Sequence, residues 1–224
     1  MNPLIKLSCW QDAFAAGTDT PSIGAEWALS ELLHHPKIME KAQAELDVIV
    51  GCNRRVHELD IPKLSYIQAI VKESLRLHPP VPMLAPHMSK TATKAFGYDI
   101  PANSWLVVNV WAIGRDESIW EKPLEFIPER FLEGNNPQAS VDLQGRHYEL
   151  LPFGSGRRAC PGMTLATMLL EMCIASLLHA FDWSPPNGKQ IDDIDMSDGL
   201  RLKGKNVPLL AHAKPRLSSH LYQY

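Results

Sequence analysis

Phe153-Gly154-Ser155-Gly156-Arg157-Arg158-Ala159-Cys160-Pro161-Gly162 is the stretch on which the reading of this 224-residue chain turns. Two glycines close together permit a tight turn with positive φ, or a bulge. Cys160 follows, and Pro161 is placed to open a helix, where its missing N–H costs nothing. The unpaired N–H groups at a helix N-terminus favour the thiolate form of a nearby cysteine, and Arg157 and Arg158 add cationic character.

Working outward, Met163 to Phe181 is the longest apolar run, interrupted by Glu171 and His179. It reads as the last long helix, started by Pro161, and as a buried helix rather than a membrane span. A mixed strand and loop tail follows. On the other side, residues 117 to 157 are punctuated by proline and glycine and read as a long loop region with one short helix. Loops of that length inside a compact domain are usually functional. Upstream, prolines 80, 82 and 86 preclude helix. Short strands are expected around Ala95 and from Trp105 to Asn109, with Gly97-Tyr98-Asp99-Ile100-Pro101 as the turn between them.

The first third of the chain is helical by its spacing. Leu7, Trp10, Phe14, Ile23, Trp27, Ala28 and Leu32 recur at helical intervals, so Leu4 to Leu33 reads as one long helix. Pro21 cannot donate to the carbonyl of Gly17, which predicts one bent helix with its kink between Ala16 and Pro21. Pro36 opens a second helix through Ile38, Ala42 and Leu46 to a stop at Gly51. Ser65 and Gln68 have the spacing of a capping box for a third helix, 65 to 77, ended by His78-Pro79-Pro80.

Composition bounds the rest. At 45% hydrophobic and 21% charged residues the chain can build a core, so wholesale disorder is excluded. At roughly 100–200 residues per domain the length suits one domain or slightly more. A net charge of −3 with no basic stripe argues against nucleic acid, and no polybasic block suggests an anionic membrane surface. Eighteen prolines against thirteen glycines fit long structured loops. Cys9, Cys52, Cys160 and Cys173 have no C-x-x-C spacing and no H-E-x-x-H accompanies them, which argues against zinc. A disulfide framework is equally poorly supported, so a reducing compartment is the default. Met1 to Trp10 lacks a signal-peptide pattern.

An anionic sulfur on a glycine-padded turn suits axial ligation of a large planar metal cofactor. A structural cysteine at a loop-to-helix junction fits the same ten residues taken alone. The ten residues fit F-x-x-G-x-R-x-C-x-G, and with that pattern the chain resembles the cytochrome P-450 monooxygenases. Three other segments resemble that family in its order: Ala16-Gly17-Thr18-Asp19-Thr20, Glu73-Ser74-Leu75-Arg76, and Pro128-Glu129-Arg130-Phe131. A lone E-x-x-R pair occurs on any helix surface, so the order and spacing of the four carry the resemblance. The wording around Cys160 and of the Val108-to-Asp116 segment is most similar to the plant microsomal branch.

The resemblance implies a mainly α fold with small β-sheets, the C-terminal half of the cytochrome P-450 fold across 1–224. Its parts would be an oxygen-binding helix (4–33), an E-x-x-R helix (65–77) and a haem-thiolate loop (153–162). Cys160 would be the iron ligand, with Phe153 shielding it, Gly156 and Gly162 letting the backbone approach, and Arg158 pairing with a haem propionate. His87 stands where many relatives carry an arginine that contacts a propionate. Ala16 and Gly17 would leave room for oxygen and substrate, and Asp19 and Thr20 would deliver protons. Glu73, Arg76 and Arg130 would form a buried network supporting the haem loop. Apolar Val81, Met83 and Leu84 would line the substrate pocket, ordinary core being the other reading.

The implied activity is insertion of one oxygen atom from dioxygen into a small apolar or phenolic plant-type metabolite. Electrons would come from NADPH through a cytochrome P-450 reductase. Full-length relatives are anchored to the endoplasmic reticulum membrane, facing the cytosol, by a segment expected to be missing here along with the first helices. Two alternatives stand beside this. One is a truncated, non-catalytic fragment that does not hold haem. The other is a reductase-independent relative that rearranges hydroperoxides, against which Asp19-Thr20 argues.

Overall fold

A computed structural model describes the backbone of residues 3–134, 136–186, 189–199 and 204–223, with side chains from residue 13 onward. The side chains of Leu7, Cys9 and Trp10 are not among those described.

The first helix, α1, is continuous from Pro3 to His34 with Pro21 inside it, so the chain does not break into two helices there. Side-chain hydroxyls serve carbonyls around the proline: Thr18 donates to Phe14 (2.7 Å), Thr20 to Ala16 (2.6 Å) and Ser22 to Thr18 (2.8 Å). Its C-terminal half is core, with Trp27, Ala28, Leu29, Leu32 and Leu33 buried, whereas Phe14 is exposed. Gly24 permits the closest approach: a Cβ there would stand 3.0 Å from Leu170 of the last helix.

Helix α2 (Pro36–Ile49) begins at the proline as its sequence requires and turns off through Gly51 in the left-handed region, φ 76°. A single 3-10 turn, Glu58–Lys63, leads into α3 (Ser65–Leu77). The expected capping box does not form. Leu64 is the cap residue, and Gln68 instead donates to the carbonyl of Ile61 (2.7 Å). The donors at the start of α3 are met from another helix. The carboxylate of Glu45 on α2 accepts the N–H groups of Tyr66 (2.8 Å) and Ile67 (3.1 Å) and the Ser65 hydroxyl (3.2 Å). A negative charge also suits that end of the helix dipole. Helix α3 is buried on nearly every side, so it is the centre of the molecule.

After α3 the chain makes short antiparallel ribbons. β1 (His87–Met88) pairs with β4 (Trp105–Leu106), in register His87 to Leu106. β2 (Thr93–Ala95) pairs with β3 (Tyr98–Ile100), in register Thr93 to Ile100. The segment expected as a turn from Gly97 to Pro101 is therefore mostly strand. The turn is tighter, at Phe96 and Gly97, both with positive φ (52° and 84°), as a two-residue hairpin loop demands. The strand expected through Asn109 stops at Leu106. Asn109 caps the short helix α4 (Val110–Ile113) by accepting from the Ala112 N–H (3.0 Å).

The long loop contains the 3-10 turn Pro128–Phe131 and the fully buried Trp120. The last helix, α5, runs from Met163 to Ala180, so Pro161 and Gly162 belong to the approach rather than to the helix. Leu170, Ile174, Ala175 and Leu178 face α1, α2 and α3. Leu165 is 63% exposed and Met168 and Leu169 nearly half, so the helix is buried on one side only, because packed neighbours cover only that side. Among the described residues α5 is the one helix long and apolar enough to cross a membrane, by length and composition. Its polar interruptions are accommodated differently. His179 is buried on the Gly51 carbonyl (2.8 Å), and burial pushes the half-buried Glu171 up to about 7, against the opposing charge of Lys72. β5 (Phe181–Ser184) then pairs antiparallel with β6 (His212–Pro215).

Candidate functional site

Glu73 and Arg76 are one helical turn apart on α3, and both side chains are fully buried. Arg130 comes to them from the 3-10 turn of the long loop, 6% exposed. Arg76 donates to Glu73 through Nε (2.7 Å) and Nη2 (2.8 Å), and Arg130 donates through Nε (3.1 Å). The Ile127 N–H completes the carboxylate's shell at 2.8 Å. The guanidiniums are satisfied in turn by backbone. Arg76 donates to the carbonyls of Gly114, Pro123 and Glu125, and Arg130 to those of Glu121 and Lys122. Both stand over the Trp120 ring, at 5.2 and 5.9 Å. A buried ion cluster holds only when its remaining donors and acceptors are met, as here. It pins the chain from residue 114 to 130 around the end of α3.

That same end of α3 borders the cysteine segment: Arg76 and Pro79 line one small cavity with Leu150, Leu151 and Pro152. From there the chain turns through Gly154 (φ 72°) and Gly156 (φ 71°) into a 3-10 turn, Gly156–Arg158. The Cys160 N–H donates back to the Phe153 carbonyl (2.9 Å), closing the loop. The Ser155 hydroxyl ties it to the Gly145 carbonyl (2.6 Å). Cys160 is an exposed free thiol two residues ahead of Gly162, the cap residue of α5. It is therefore farther from the first helical turn than its sequence suggests. Phe153 is half-buried against the core, and Arg157 and Arg158 are exposed.

Ala16, Gly17 and Asp19 lie on the exposed half of α1, and Thr20 is half-buried. A Cβ on Gly17 or on Gly156 would meet nothing within 4 Å, and one on Gly162 would meet only the Cys160 Sγ, at 3.9 Å. His87 is exposed on β1. The structure thus brings Glu73, Arg76 and Arg130 into direct contact. Among the described residues, no hydrogen bond or ion pair joins Ala16, Gly17, Asp19, Thr20, His87 or Arg158 to Cys160.

Sequence reasoning missed two glycines and one polar pair. A Cβ on Gly114 would lie 2.5 Å from the Arg76 carbonyl oxygen, and one on Gly145 would lie 2.7 Å from the Gly154 oxygen. Each glycine permits a loop to press against the cluster or against the cysteine segment. The third omission is Glu31 on α1 with His78, at 2.6 Å. No local pattern marks any of these, since each answers to a residue outside its own turn or helix.

Residues 6–210 match the family model described as Cytochrome P450, and the chain belongs to that family. It is a partial domain of the cytochrome P450 fold, mainly helical with small sheets. It is 49% identical over 209 residues to a flavonoid 3',5'-hydroxylase of Crocosmia x crocosmiiflora, covering 92% of this chain and 39% of that protein. It is 50% identical over 212 residues to a flavonoid 3',5'-hydroxylase of Solanum melongena (94% and 40%). To the dimethylnonatriene synthase of Zea mays it is 49% identical over 214 residues (95% and 40%). A zebrafish cytochrome P450 solved with abiraterone superposes with a TM-score of 0.78 at 35% identity, covering 92% of this chain and 47% of that one. The chain spans about two fifths of the length of these plant relatives.

Proposed function

We propose that this chain is the thiolate-bearing part of a haem-dependent monooxygenase, in which the Cys160 sulfur would hold the haem iron. One observation carries the reading. Cys160 is exposed on a loop closed by the Phe153 carbonyl, and the chain leading into that loop, Leu150 to Pro152, shares a small cavity with Arg76 of the Glu73–Arg76–Arg130 cluster. The residues fit a large planar group. A Cβ on Gly17 or on Gly156 would each stand in open space, and Leu165 and Met168 present apolar surface on α5. Bound there, a thiolate-ligated haem supplies the oxidising chemistry, because thiolate donation favours O–O cleavage.

The chain's own residues then have separable tasks. The segments 4–33, 65–77 and 153–162 serve as the oxygen-side helix, the supporting helix and the ligand loop. Phe153 keeps water from the sulfur, and Gly156 and Gly162 let the backbone come close to it. Arg158 and His87 offer cationic or N–H partners to carboxylates at the ring edge. Ala16 and Gly17 leave volume on the opposite side. The Thr20 hydroxyl donates to the Ala16 carbonyl (2.6 Å), so its oxygen can accept a hydrogen bond and its own hydrogen can pass on as it receives another, with water as the proton source and the exposed Asp19 side chain as the relay. Glu73, Arg76 and Arg130 touch no substrate; they hold the loop.

The substrate reading follows from the relatives, whose names specify flavonoid hydroxylation and dimethylnonatriene synthesis. It is a small apolar or phenolic plant metabolite gaining one oxygen atom. The partners are a NADPH-dependent cytochrome P450 reductase and the cytosolic face of the endoplasmic reticulum. The test joins this chain to the N-terminal portion of the Solanum melongena relative and supplies reductase and NADPH. A flavonoid product heavier by one oxygen, with Thr20→Ala diverting electrons to peroxide, supports the reading. Turnover that needs no reductase and consumes hydroperoxides instead would overturn it.

A further inference from the structure

His78 ends α3 and begins a run stiffened by Pro79, Pro80 and Pro82, whose φ angles are fixed by their rings. Its imidazole is held on two sides, and its backbone N–H on a third. Nε2 lies 2.6 Å from the Glu31 carboxylate, with both side chains about nine-tenths buried. The ring stacks on the fully buried Trp27, centroids 4.0 Å apart and planes within 5°. The His78 N–H donates to the Ser74 carbonyl (2.7 Å). A carboxylate only accepts, so Nε2 carries the hydrogen of this bond. Glu31 also pairs with His35, the residue between α1 and α2.

Beyond the prolines, the segment is held again. The Trp111 N–H donates to the Pro82 carbonyl (3.2 Å) and the Leu84 N–H to that of Val81 (3.1 Å). Leu84 has a φ of 49°, a conformation that a leucine keeps only when its surroundings impose it. Its Cδ1 lies 3.6 Å from where a Cβ of Gly154 would stand, so it rests on the turn that leads to Cys160.

We propose that Glu31 and His78 are positioning residues that set the Pro79–Leu84 segment between α1 and the cysteine-bearing loop. The proline run is the rigid spacer: it converts the fixed ring of His78 into a fixed Pro82 carbonyl and a strained Leu84. Glu31 thereby links the helix that carries Ala16 to Thr20 with the segment facing the Cys160 turn. The inference rests on the proposed function only for what that segment faces.

The experiment is residue-resolved amide hydrogen exchange on the full chain, without haem, for wild type, Glu31→Gln, His78→Phe and His78→Gln. His78→Phe keeps a ring to stack on Trp27 and loses the donor; His78→Gln restores a donor. The Trp111 and Leu84 amides report the segment, and the Ile70 amide, inside α3, reports global opening. We expect exchange at Trp111 and Leu84 to quicken about tenfold or more in Glu31→Gln and His78→Phe. Ile70 should change far less, and His78→Gln should recover part of the protection. Unchanged Trp111 and Leu84 amides would overturn the proposal. So would equal acceleration at all three, which would mean that the pair only stabilises the fold. If Glu31→Gln does not fold, His78→Phe carries the same readout. The proposed function fails separately, in haem ligation, which this experiment does not read.

Discussion

Replacing Glu73 with Gln removes one charge and almost no volume, so its effect isolates the electrostatics of the cluster. The carboxylate accepts from Arg76 Nε and Nη2, from Arg130 Nε and from the Ile127 N–H. Hydrogen bonds to charged groups contribute about 1.5–3 kcal/mol each, and a plain sum overshoots. Glutamine still accepts through one oxygen, and both guanidiniums keep their backbone carbonyls. What remains is two buried cations without their anion, a loss of about 3–5 kcal/mol. For a chain of this size that lowers the melting temperature by roughly 6–20 °C. The assay is urea unfolding followed by far-ultraviolet circular dichroism, with Glu125→Gln as control. The Glu125 pair with Lys122, 3.5 Å and exposed on both sides, should change stability by less than about 0.5 kcal/mol. A Glu73→Gln loss below about 1 kcal/mol would show that the cluster does not depend on its charge.

Three further outcomes follow from the geometry. Glu45→Ala should destabilise by about 1 kcal/mol in the same assay, because the start of α3 loses the carboxylate that accepts from Tyr66 and Ile67. Gly114→Ala should cost roughly 2 kcal/mol or more, since the new Cβ meets a backbone oxygen at 2.5 Å that cannot rotate away; an unchanged urea midpoint would contradict this. For Glu31, burial alone would raise the carboxyl, but the hydrogen bonds and charges of His35 and His78 outweigh it and hold it at about 2, below its ordinary 4.5. That stability, about 3 kcal/mol, is present above pH 4.5 and lost as pH falls towards 2, so wild type should converge on Glu31→Gln in acid. The same pair raises His35, whose contribution is complete below 6.5 and fades as pH rises through its elevated value. The stability difference between wild type and Glu31→Gln should therefore be greatest between pH 4.5 and 6.5.

What the sequence made legible was local. The ten residues around Cys160, the Glu73-to-Arg76 turn and the Pro128-to-Phe131 turn are short patterns whose partners are nearby or implied by family resemblance. Helix spacing likewise marked α1, α2 and α3. What stayed hidden depends on neighbours far along the chain. Ser65 and Gln68 have the spacing of a capping box, but Glu45 reaches the first amides and Gln68 turns to Ile61. Proline at 161 suggested the start of α5, yet Pro161 and Gly162 finish the cysteine turn instead. The hairpin at Phe96–Gly97 escaped notice because a phenylalanine with positive φ has no sequence signal. Gly114 and Glu31 escaped because a close approach or a buried pair is a property of two segments at once.

Cys160 as the ligand of haem iron is the proposal on which the other roles rest. The direct measurement is the carbon monoxide difference spectrum of the reduced protein, with this chain joined to the N-terminal portion of the Solanum melongena relative. Ligation by Cys160 gives the thiolate-type spectrum in wild type, in Cys52→Ala and in Cys173→Ala. It predicts loss of that spectrum in Cys160→Ala, with the fold intact by circular dichroism. A Cys160→Ala protein that kept the thiolate spectrum would contradict it.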